Sequence, residues 1–324
     1  MKILIIRFSS IGDIVLTTPV IRCVKKQVKD VEVHYLTKKQ FSSILKSNPY
    51  VDKLHTINND VSEVIDQLKK EKIDLIIDLH HNLRTFTVKR QLKKPSVSFN
   101  KLNIEKWLMV NLKLDKLPRV HIVDRYLETV KGLGVQNDGE GLDYFIPKED
   151  EVNILTLPAS HQHGYIGFVI GAAHNTKQLP AEKIISICKK LKASVVLLGG
   201  KEDVEKATTI EAAVGSTIYN ACGKYNLNQS ASLVKQATTI ISHDTGLMHI
   251  ASAFNKKIIS VWGNTIPEFG MHPYEATKDE GRGTIVEVKG LSCRPCSKIG
   301  YDKCPKGHFK CMRDIDEEFI VKLI

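Results

Sequence analysis

The residues whose types could do chemistry lie in four short segments, and each follows or ends a run of apolar residues. The segments place an acid, a lysine, an arginine or histidines next to small residues, and proton transfer and anion binding use these groups. They are "SSIGDIVLTTP" (9–19), "DLIIDLHHNLRT" (74–85), "GAAHNTKQLP" (171–180) and "ISHDTGLMHIASAF" (241–254).

In the segment 241–254, the residues "DTG" lead from a predicted strand into a predicted helix that carries His249. Asp244 or Thr245 can cap that helix, and Gly246 leaves backbone N–H groups open to a ligand. A helix N-terminus of this kind suits a diphosphate. A strand, a capping residue and a core histidine would give the same pattern without any ligand.

The segment 171–180 adds a mobile positive charge. Its small residues let a ligand approach the backbone, and Pro180 begins the next helix. Lys177 would serve a diphosphate leaving group as a point charge. A solvated loop lysine is the alternative interpretation.

The opening segment, 9–19, lacks the pattern of a phosphate-binding loop. It has one glycine and no lysine, so it matches neither GxGxxG nor GxxxxGK[ST]. Asp13 would repel a phosphate. It fits either a general base at the end of a strand or a helix N-terminal residue stabilised by the helix dipole. The residues alone leave both interpretations open.

A polar, basic loop follows the predicted strand 73–78. His80, His81, Asn82 and Arg84 could hold a phosphorylated or acidic sugar acceptor. Because adjacent histidines usually point in different directions, a metal site is not expected here.

Strands and helices alternate along the chain, and the strands are continuous apolar runs. This pattern predicts parallel sheets covered on both faces, with ligands beyond the carboxyl ends of the strands. We expect an α/β protein with two Rossmann-like domains, at 1–155 and 156–324, the second ending in a cysteine-rich tail and an amphipathic helix over 314–324. Strands are predicted near 2–7, 31–36, 73–78, 96–99, 165–170, 194–199, 216–219, 238–243 and 257–263, and helices near 13–29, 61–71, 121–133, 180–192, 202–213, 227–236 and from 246.

Composition narrows the function classes. The 324 residues carry 47 Lys and Arg against 36 Asp and Glu, and the resulting charge of +11 favours anionic partners. With 6% aromatic residues and no aromatic–basic interleaving, nucleic acid is not expected as a partner. The longest apolar runs are about five residues, far below the roughly 20 of a membrane span, and no secretory signal is expected. The default location is therefore cytoplasmic.

Together, "IRFSSIGDIVLTTPVIRCVKK", "DLHHNLR", "TKQLPAEKI" and "SHDTGLMHIASAF…SVWGNTIPE" resemble the ADP-heptose:lipopolysaccharide heptosyltransferases, glycosyltransferase family 9. The resemblance implies a GT-B architecture, in which two Rossmann-like domains face across a cleft and hold the acceptor and the nucleotide-sugar. It implies inverting, metal-independent transfer of a heptose from an ADP-linked donor to a lipid-linked acceptor, the lipopolysaccharide inner core. No cofactor for catalysis is implied.

On the acceptor side, the resemblance makes Asp13 the general base, places Ser9, Ser10 and Gly12 in the loop around it, and makes Arg84 a basic contact. On the donor side, it implies six residues near the diphosphate or the sugar, namely Thr176, Lys177, Asp244, Thr245, Gly246 and His249. The basic surplus adds the expectation of loose attachment to the anionic inner face of the membrane, where a lipid-linked acceptor resides.

The sequence departs from the family at two places. Gln178 and Leu179 stand where the family usually has arginine and tryptophan, and Asn264 stands where it has proline or serine. A transferase with another nucleotide-sugar or acceptor is therefore the alternative. A two-domain small-molecule binding protein without chemistry is a further alternative, whereas the missing GxGxxG disfavours an NAD-dependent oxidoreductase.

Four of the seven cysteines crowd into the segment "CRPCSKIGYDKCPKGHFKC" (293–311). Cys293, Cys296, Cys304 and Cys311 would suit a tetrahedral structural zinc, with His308 as an alternative ligand. Free or redox-active thiols and disulfides stay open as the other interpretations, although a cytoplasmic setting disfavours disulfides.

Overall fold

The computed structural model describes residues 1–275 and 281–324 of the chain. The described residues form two compact units, and each contains one parallel sheet with helices packed on it, which confirms the α/β class. The N-terminal unit comprises Met1–Lys101 and Val120–Phe145, and the C-terminal unit comprises Leu102–Arg119 and Ile146–Ile324.

A single boundary at residue 155 does not describe this division. The C-terminal unit begins again at Ile146 and also includes the earlier segment 102–119. That segment contributes to an apolar cluster of the C-terminal unit made by Met109, Val110, Leu117, Ile266 and Phe269. Tertiary packing decides the assignment of this segment, and the periodicity of one sequence does not report such packing.

In the N-terminal unit, the described residues form a five-stranded parallel sheet with the order β3-β2-β1-β4-β5. The strands are β1 (Lys2–Ile6), β2 (Glu32–Lys38), β3 (Lys53–Ile57), β4 (Leu75–Asp78) and β5 (Ser96–Ser98). The helices are α1 (Ile11–Val15), α2 (Thr18–Gln27), α3 (Ser62–Lys70), α4 (Leu83–Leu92) and α6 (Ile122–Leu127), while α5 (Asn103–Leu112) belongs to the C-terminal unit. Because β1 is the central strand, the loop that follows it emerges at the middle of the carboxyl edge of the sheet.

In the C-terminal unit, a six-stranded parallel sheet has the order β11-β10-β9-β6-β7-β8 over the residues described. Its strands are β6 (Ile166–Val169), β7 (Val195–Leu198), β8 (Ile218–Asn220), β9 (Thr239–His243), β10 (Lys257–Trp262) and β11 (Gly283–Glu287). Its further helices are α7 (Ala181–Lys190), α8 (Val204–Val214), α9 (Leu227–Gln236), α10 (Gly246–Ala253), α11 (Lys310–Arg313) and α12 (Glu317–Lys322). Since β6 lies beside β9, the loops after these two strands are neighbours.

The strands that the sequence did not predict are the edge strands β3 and β11. In each of them, several side chains are only half-buried, so neither forms a continuous apolar run. The predicted helix 13–29 is two helices, because α1 ends at Val15 and Pro19 stands in the first turn of α2. A proline is tolerated there, since the first N–H groups of a helix have no intrahelical partner.

A group of charged side chains lies at the amino ends of β2 and β3. Glu32, His34 and Glu71 form the one group of three, within the described ranges, whose potential metal-ligating atoms lie within 4.8 Å of one another. Glu32 Oε2 lies 3.3 Å from Nζ of Lys2, and Glu71 is ion-paired with Lys53. Because a lysine already neutralises each carboxylate, this group is an ion-pair network.

His243, the last residue of β9, is fully buried, and its Nε2 accepts a hydrogen bond from the backbone N–H of Leu179 at 2.9 Å. Burial and the nearby charge of Lys206 lower the pKa of His243 to about 3. The imidazole is therefore neutral in the folded protein, whereas the same imidazole in the unfolded chain binds a proton when the pH falls.

We expect this histidine to make the free energy of unfolding fall with acidification below its unfolded pKa of about 6.5, by roughly 2 kcal/mol between pH 7 and pH 5. The His243→Gln variant, whose carbonyl oxygen can still accept the Leu179 hydrogen bond, should show a flatter dependence in urea unfolding. The exposed His163→Gln variant is the control. Equal slopes for His243→Gln and the wild type would contradict the assignment.

Candidate functional site

Asp13 lies in the first turn of α1, just after the loop that follows β1. Its Oδ2 accepts hydrogen bonds from the backbone N–H of Ser10 at 3.1 Å and from the Ser10 hydroxyl at 2.8 Å. Its Oδ1 lies 2.6 Å from Nη2 of Arg7. The side chain is 18% exposed, so the carboxylate has a fixed orientation and can still be reached from solvent. Gly12, beside it, is buried.

The Arg7 guanidinium contacts several parts of the loop around Asp13, and no sequence pattern predicts this role. Its Nε donates to the carbonyl oxygen of Ser9 at 2.7 Å, and its Nη1 donates to the carbonyl oxygen of Leu79 at 2.7 Å and to the Tyr126 hydroxyl at 3.1 Å. With the Asp13 ion pair, all three guanidinium nitrogens have partners. The rigid planar fork of the arginine therefore fixes the position of the Asp13 carboxylate.

The electrostatics of this loop favour an ionised Asp13. Burial alone would raise its pKa, but the Arg7 charge and the Ser10 hydrogen bonds lower the pKa below its ordinary value. His80 has its pKa lowered to about 4 by burial and by Arg7, so its imidazole is uncharged at neutral pH. The arrangement presents one oriented carboxylate, which is the form that a proton acceptor requires.

The loop after β4 is organised by Asp78. Ile6 of β1 pairs with Asp78 of β4, so the two loops begin at the same level of the sheet. The fully buried Asp78 accepts hydrogen bonds from the backbone N–H groups of His80 at 3.1 Å and His81 at 2.6 Å, and it lies 2.8 Å from Lys89 Nζ. Asp78 therefore has a structural role in this loop.

Arg84 lies in the first turn of α4 and is exposed. Asn82 caps this helix, since its Oδ1 accepts from the Thr85 backbone N–H at 3.0 Å while its own N–H donates to the Thr85 hydroxyl at 2.9 Å. The cap gives α4 a defined start on the carboxyl side of the sheet. The structure thus places Arg84 on the side where a ligand of this sheet is expected.

In the C-terminal unit, Lys177 and Asp244 form an ion pair, with Nζ 2.6 Å from Oδ2. The same carboxylate oxygen accepts a hydrogen bond from the Thr265 hydroxyl at 3.0 Å. These three residues follow β6, β9 and β10 respectively, so the pair ties together the loops of three adjacent strands. The sequence predicts Lys177 and Asp244 as separate donor-side residues. It does not single out Thr265, although this residue lies within the family-like segment "SVWGNTIPE".

The N-terminus of α10 lies beside this ion pair. Thr245 occupies the N-cap position and Gly246 begins the helix, and within the described residues the Thr245 side chain makes no capping hydrogen bond. The first N–H groups of the helix have no intrahelical partner, so the helix presents donors at this end. His249 lies one turn further along the helix and is buried.

Thr176 is held by the backbone of Tyr301. Its hydroxyl donates to the Tyr301 carbonyl oxygen at 2.9 Å and accepts from the Tyr301 N–H at 2.8 Å. A hydroxyl has one proton to donate, and here it is used internally. The phosphate contact of Thr176 stays a prediction. Gly263 lies close to Thr176. A Cβ at Gly263 would lie 2.8 Å from the Thr176 carbonyl oxygen, so only glycine fits there.

The small residues after β6 allow a close approach, as expected, but the group that approaches is a protein side chain. A Cβ on Gly171 would lie 2.0 Å from Oδ2 of Asp203, a buried carboxylate at the start of α8.

Asn264, in the loop after β10, has a buried side chain. Its side-chain Oδ1 and Nδ2 are buried and have no hydrogen-bond partner among the described residues. Buried amides normally bond to protein, water or a ligand.

The cysteine cluster is not a preassembled metal site in this structure. The sulfur of Cys293 lies 3.8 Å from Nε2 of His308, and the Cys296 thiol donates to the Cys293 carbonyl oxygen at 3.1 Å. All seven cysteines are free thiols. In the segment 293–311, which is fully described, no three potential ligand atoms lie within 4.8 Å of one another. The zinc therefore stays a prediction.

If these thiols do bind structural zinc, elemental analysis of purified protein should find about one zinc per chain. The double variant Cys293→Ser/Cys296→Ser should lose that zinc, because a tetrahedral site cannot form with two ligands. Cys23→Ser, at an isolated buried thiol, is the matched control. A zinc content below roughly a tenth per chain in the wild type would end this assignment.

Among the residues that the structure describes, no helix has the length and apolar content that crossing a bilayer requires.

The sequence matches the family model of glycosyltransferase family 9 (heptosyltransferase) over residues 61–300. A relative of known name is the lipopolysaccharide heptosyltransferase 1 of Campylobacter coli. The two sequences are 27% identical over an alignment of 350 residues, and this alignment covers 100% of this chain and 98% of the relative.

Solved structures show the same fold. A glycosyl transferase of family 9 from Veillonella parvula superposes with a TM-score of 0.79 at 23% identity, over 99% of this chain and 95% of that one. The E. coli heptosyltransferase WaaC with ADP-2-deoxy-2-fluoro heptose superposes with a TM-score of 0.63 at 19% identity, over 85% and 96%. The predicted GT-B fold class is confirmed. The chain belongs to glycosyltransferase family 9 (heptosyltransferase) and is a glycosyltransferase.

Proposed function

We propose that this chain transfers a heptose from ADP-heptose to a lipopolysaccharide inner-core acceptor, with inversion at the anomeric carbon and without a catalytic metal. The observation that carries the proposal is the oriented carboxylate of Asp13, ion-paired with Arg7 at 2.6 Å. The family match, the name of the Campylobacter relative and the sugar nucleotide in the WaaC structure support heptose and ADP.

In the proposed reaction, Asp13 takes the proton of an acceptor hydroxyl while that oxygen attacks the anomeric carbon. The new glycosidic C–O bond forms as the bond from that carbon to the diphosphate breaks, and ADP leaves with the electron pair. Attack opposite to the leaving group inverts the configuration. Asp13 then returns the proton to water.

The leaving diphosphate needs positive charge in the absence of a metal. Lys177 and the N-terminus of α10 supply it, and the Asp244 ion pair holds the lysine near the helix. On the acceptor side, Arg84 provides an exposed cation for an anionic glycan. With a net charge of +11, the protein acts in the cytoplasm, loosely attached to the anionic inner face of the membrane.

Another donor sugar is the second candidate, and the surroundings of two side chains favour it. The Gln178 side chain is tied to Lys206 and to the Ala172 carbonyl oxygen, and the Asn264 amide is buried without a partner. Both residues stand at positions where the chain departs from the family pattern, so the sugar that they recognise can differ from heptose.

A donor panel tests the proposal. ADP-heptose, other ADP-sugars and the matching GDP- and UDP-sugars are compared for transfer and for hydrolysis, each with and without EDTA. We expect transfer from ADP-heptose to dominate and to persist in EDTA. Preference for another sugar would support the second candidate, strict dependence on added magnesium would contradict the metal-free mechanism, and tight binding without turnover would indicate a binding protein.

A further inference from the structure

The outward face of α5 is mostly apolar, and the exposed Asn111 on the same side donates a hydrogen bond to the Trp107 carbonyl oxygen at 2.9 Å. Ile104, Trp107 and Leu112 are 73%, 52% and 53% exposed, and α5 contains no fully buried residue. At 100° per residue these three side chains and Leu108 lie on one side of the helix. The opposite side carries Met109 and Val110, which pack in the apolar cluster with Phe269.

This distribution is unusual for a surface helix, which normally presents charged and polar residues to water. The exposed apolar surface continues past the helix, since Leu114 is 51% exposed. Single exposed apolar residues need no explanation, but a contiguous group marks an interaction surface. We call Ile104, Trp107, Leu108, Leu112 and Leu114 the α5 face.

Basic residues border the α5 face. The segment 101–119 contains five Lys and Arg against two Asp and Glu. Lys116 and Arg119 are exposed directly after the helix, and Arg119 is ion-paired with Asp115. Lys113 has a different role, because its Nζ donates to the carbonyl oxygens of Cys293 at 3.3 Å and Pro295 at 2.7 Å. Those bonds hold the end of α5 against the cysteine-rich segment of the same unit.

We propose that the α5 face docks on an anionic phospholipid bilayer. Tryptophan at the border of an apolar face is the side chain that membrane interfaces favour. A bordering set of lysines and arginines gives charge complementarity to anionic headgroups, and a ten-residue helix lying in the plane of the interface needs no transmembrane segment. The inference rests on the membrane attachment that is part of the proposed function, and it deepens that proposal by naming the surface that makes the contact.

Tryptophan fluorescence tests the docking directly in the full chain. The chain has two tryptophans, and Trp262 is 1% exposed, so a change of environment reports on Trp107. We expect a blue shift and protection from a soluble quencher with vesicles of phosphatidylcholine and phosphatidylglycerol, and neither with phosphatidylcholine alone. Added salt should reverse most of the binding, since screening weakens the headgroup attraction.

Vesicle sedimentation compares variants in pairs. Trp107→Ala and Lys116→Glu should each lower the fraction bound to anionic vesicles at least about fivefold. The matched controls are Leu155→Ser, at an apolar residue that is 68% exposed in the same unit, and Lys189→Glu on α7. Both controls should bind as the wild type does.

Three results would overturn the inference: no spectral shift with anionic vesicles, equal losses in the control variants, or a shift that depends on protein concentration without lipid, which would indicate a second copy of the chain on this face. Transfer to a water-soluble acceptor fragment separates the two proposals. Trp107→Ala should retain wild-type transfer in that assay, whereas an inactive wild type would count against the proposed function alone.

Discussion

The Asp13→Asn variant is expected to transfer sugar about 10³-fold more slowly than the wild type while binding ADP with nearly unchanged affinity. Asparagine preserves the size of the side chain, and its oxygen can still accept hydrogen bonds from Ser10. It cannot take up the acceptor proton. Steady-state transfer and ADP titration on the same preparation separate loss of chemistry from loss of binding.

The control for this variant is Asp66→Asn, at a carboxylate that is 92% exposed on α3. Because Asp13→Asn leaves the Arg7 guanidinium without its ion pair, thermal unfolding of both variants must also be measured. If a folded Asp13→Asn retained more than about a tenth of wild-type turnover, the assignment of the general base would be wrong.

Arg7 determines how acidic the medium must be before Asp13 stops acting as a base. With Arg7 present, the pKa of Asp13 lies below its ordinary value of about 3.9, so the ionised form persists as the pH falls to that point. Without that cation, burial raises the pKa. The acid limb of kcat/KM should therefore move to higher pH in Arg7→Gln and return towards the wild-type position in Arg7→Lys. A purely structural arginine would lower activity at every pH without moving the limb.

The sequence predicts the two central loops of the proposed site but not the contacts within them. It predicts Asp13 and Lys177 because each follows a buried strand, and ligands of α/β sheets lie beyond strand ends. The contact between Arg7 and Asp13 is not predicted, because the chain turns back between the two residues. The periodicity of the sequence does not indicate such a turn. The pairing of Lys177 with Asp244 depends on β6 lying beside β9, and the order of strands along the chain does not reveal that neighbourhood.

The parts of the fold that could not be predicted have a common physical origin. Periodicity identifies an element by its buried side, so it finds β1 and β9, whose residues are almost all buried. It fails for α5, whose outward face is as apolar as its inward one, and for α4, where Leu83 and Phe86 are 85% and 59% exposed. At α5 this deviation marks the surface that we propose docks on the bilayer.

The second large effect is expected for Lys177→Ala, with a loss of roughly 10²–10³ in kcat, as for the removal of a single group that stabilises developing negative charge. Negative charge accumulates on the diphosphate as the bond to the sugar breaks, and the lysine supplies a point charge there. The α10 N-terminus remains in the variant and accounts for the residual rate. The exposed Lys189→Ala is the control.

Added primary amines distinguish a charge effect from a structural one. A small alkylammonium ion can occupy the space of the missing side chain, so it should raise the turnover of Lys177→Ala and leave that of Asp13→Asn unchanged. Asp244→Asn should lose only about tenfold, because it weakens the orientation of the lysine but keeps its charge. A larger loss in Asp244→Asn than in Lys177→Ala would mean that the carboxylate, and not the ammonium group, acts on the donor. Charge on the leaving group would then have to be balanced by the helix N-terminus alone.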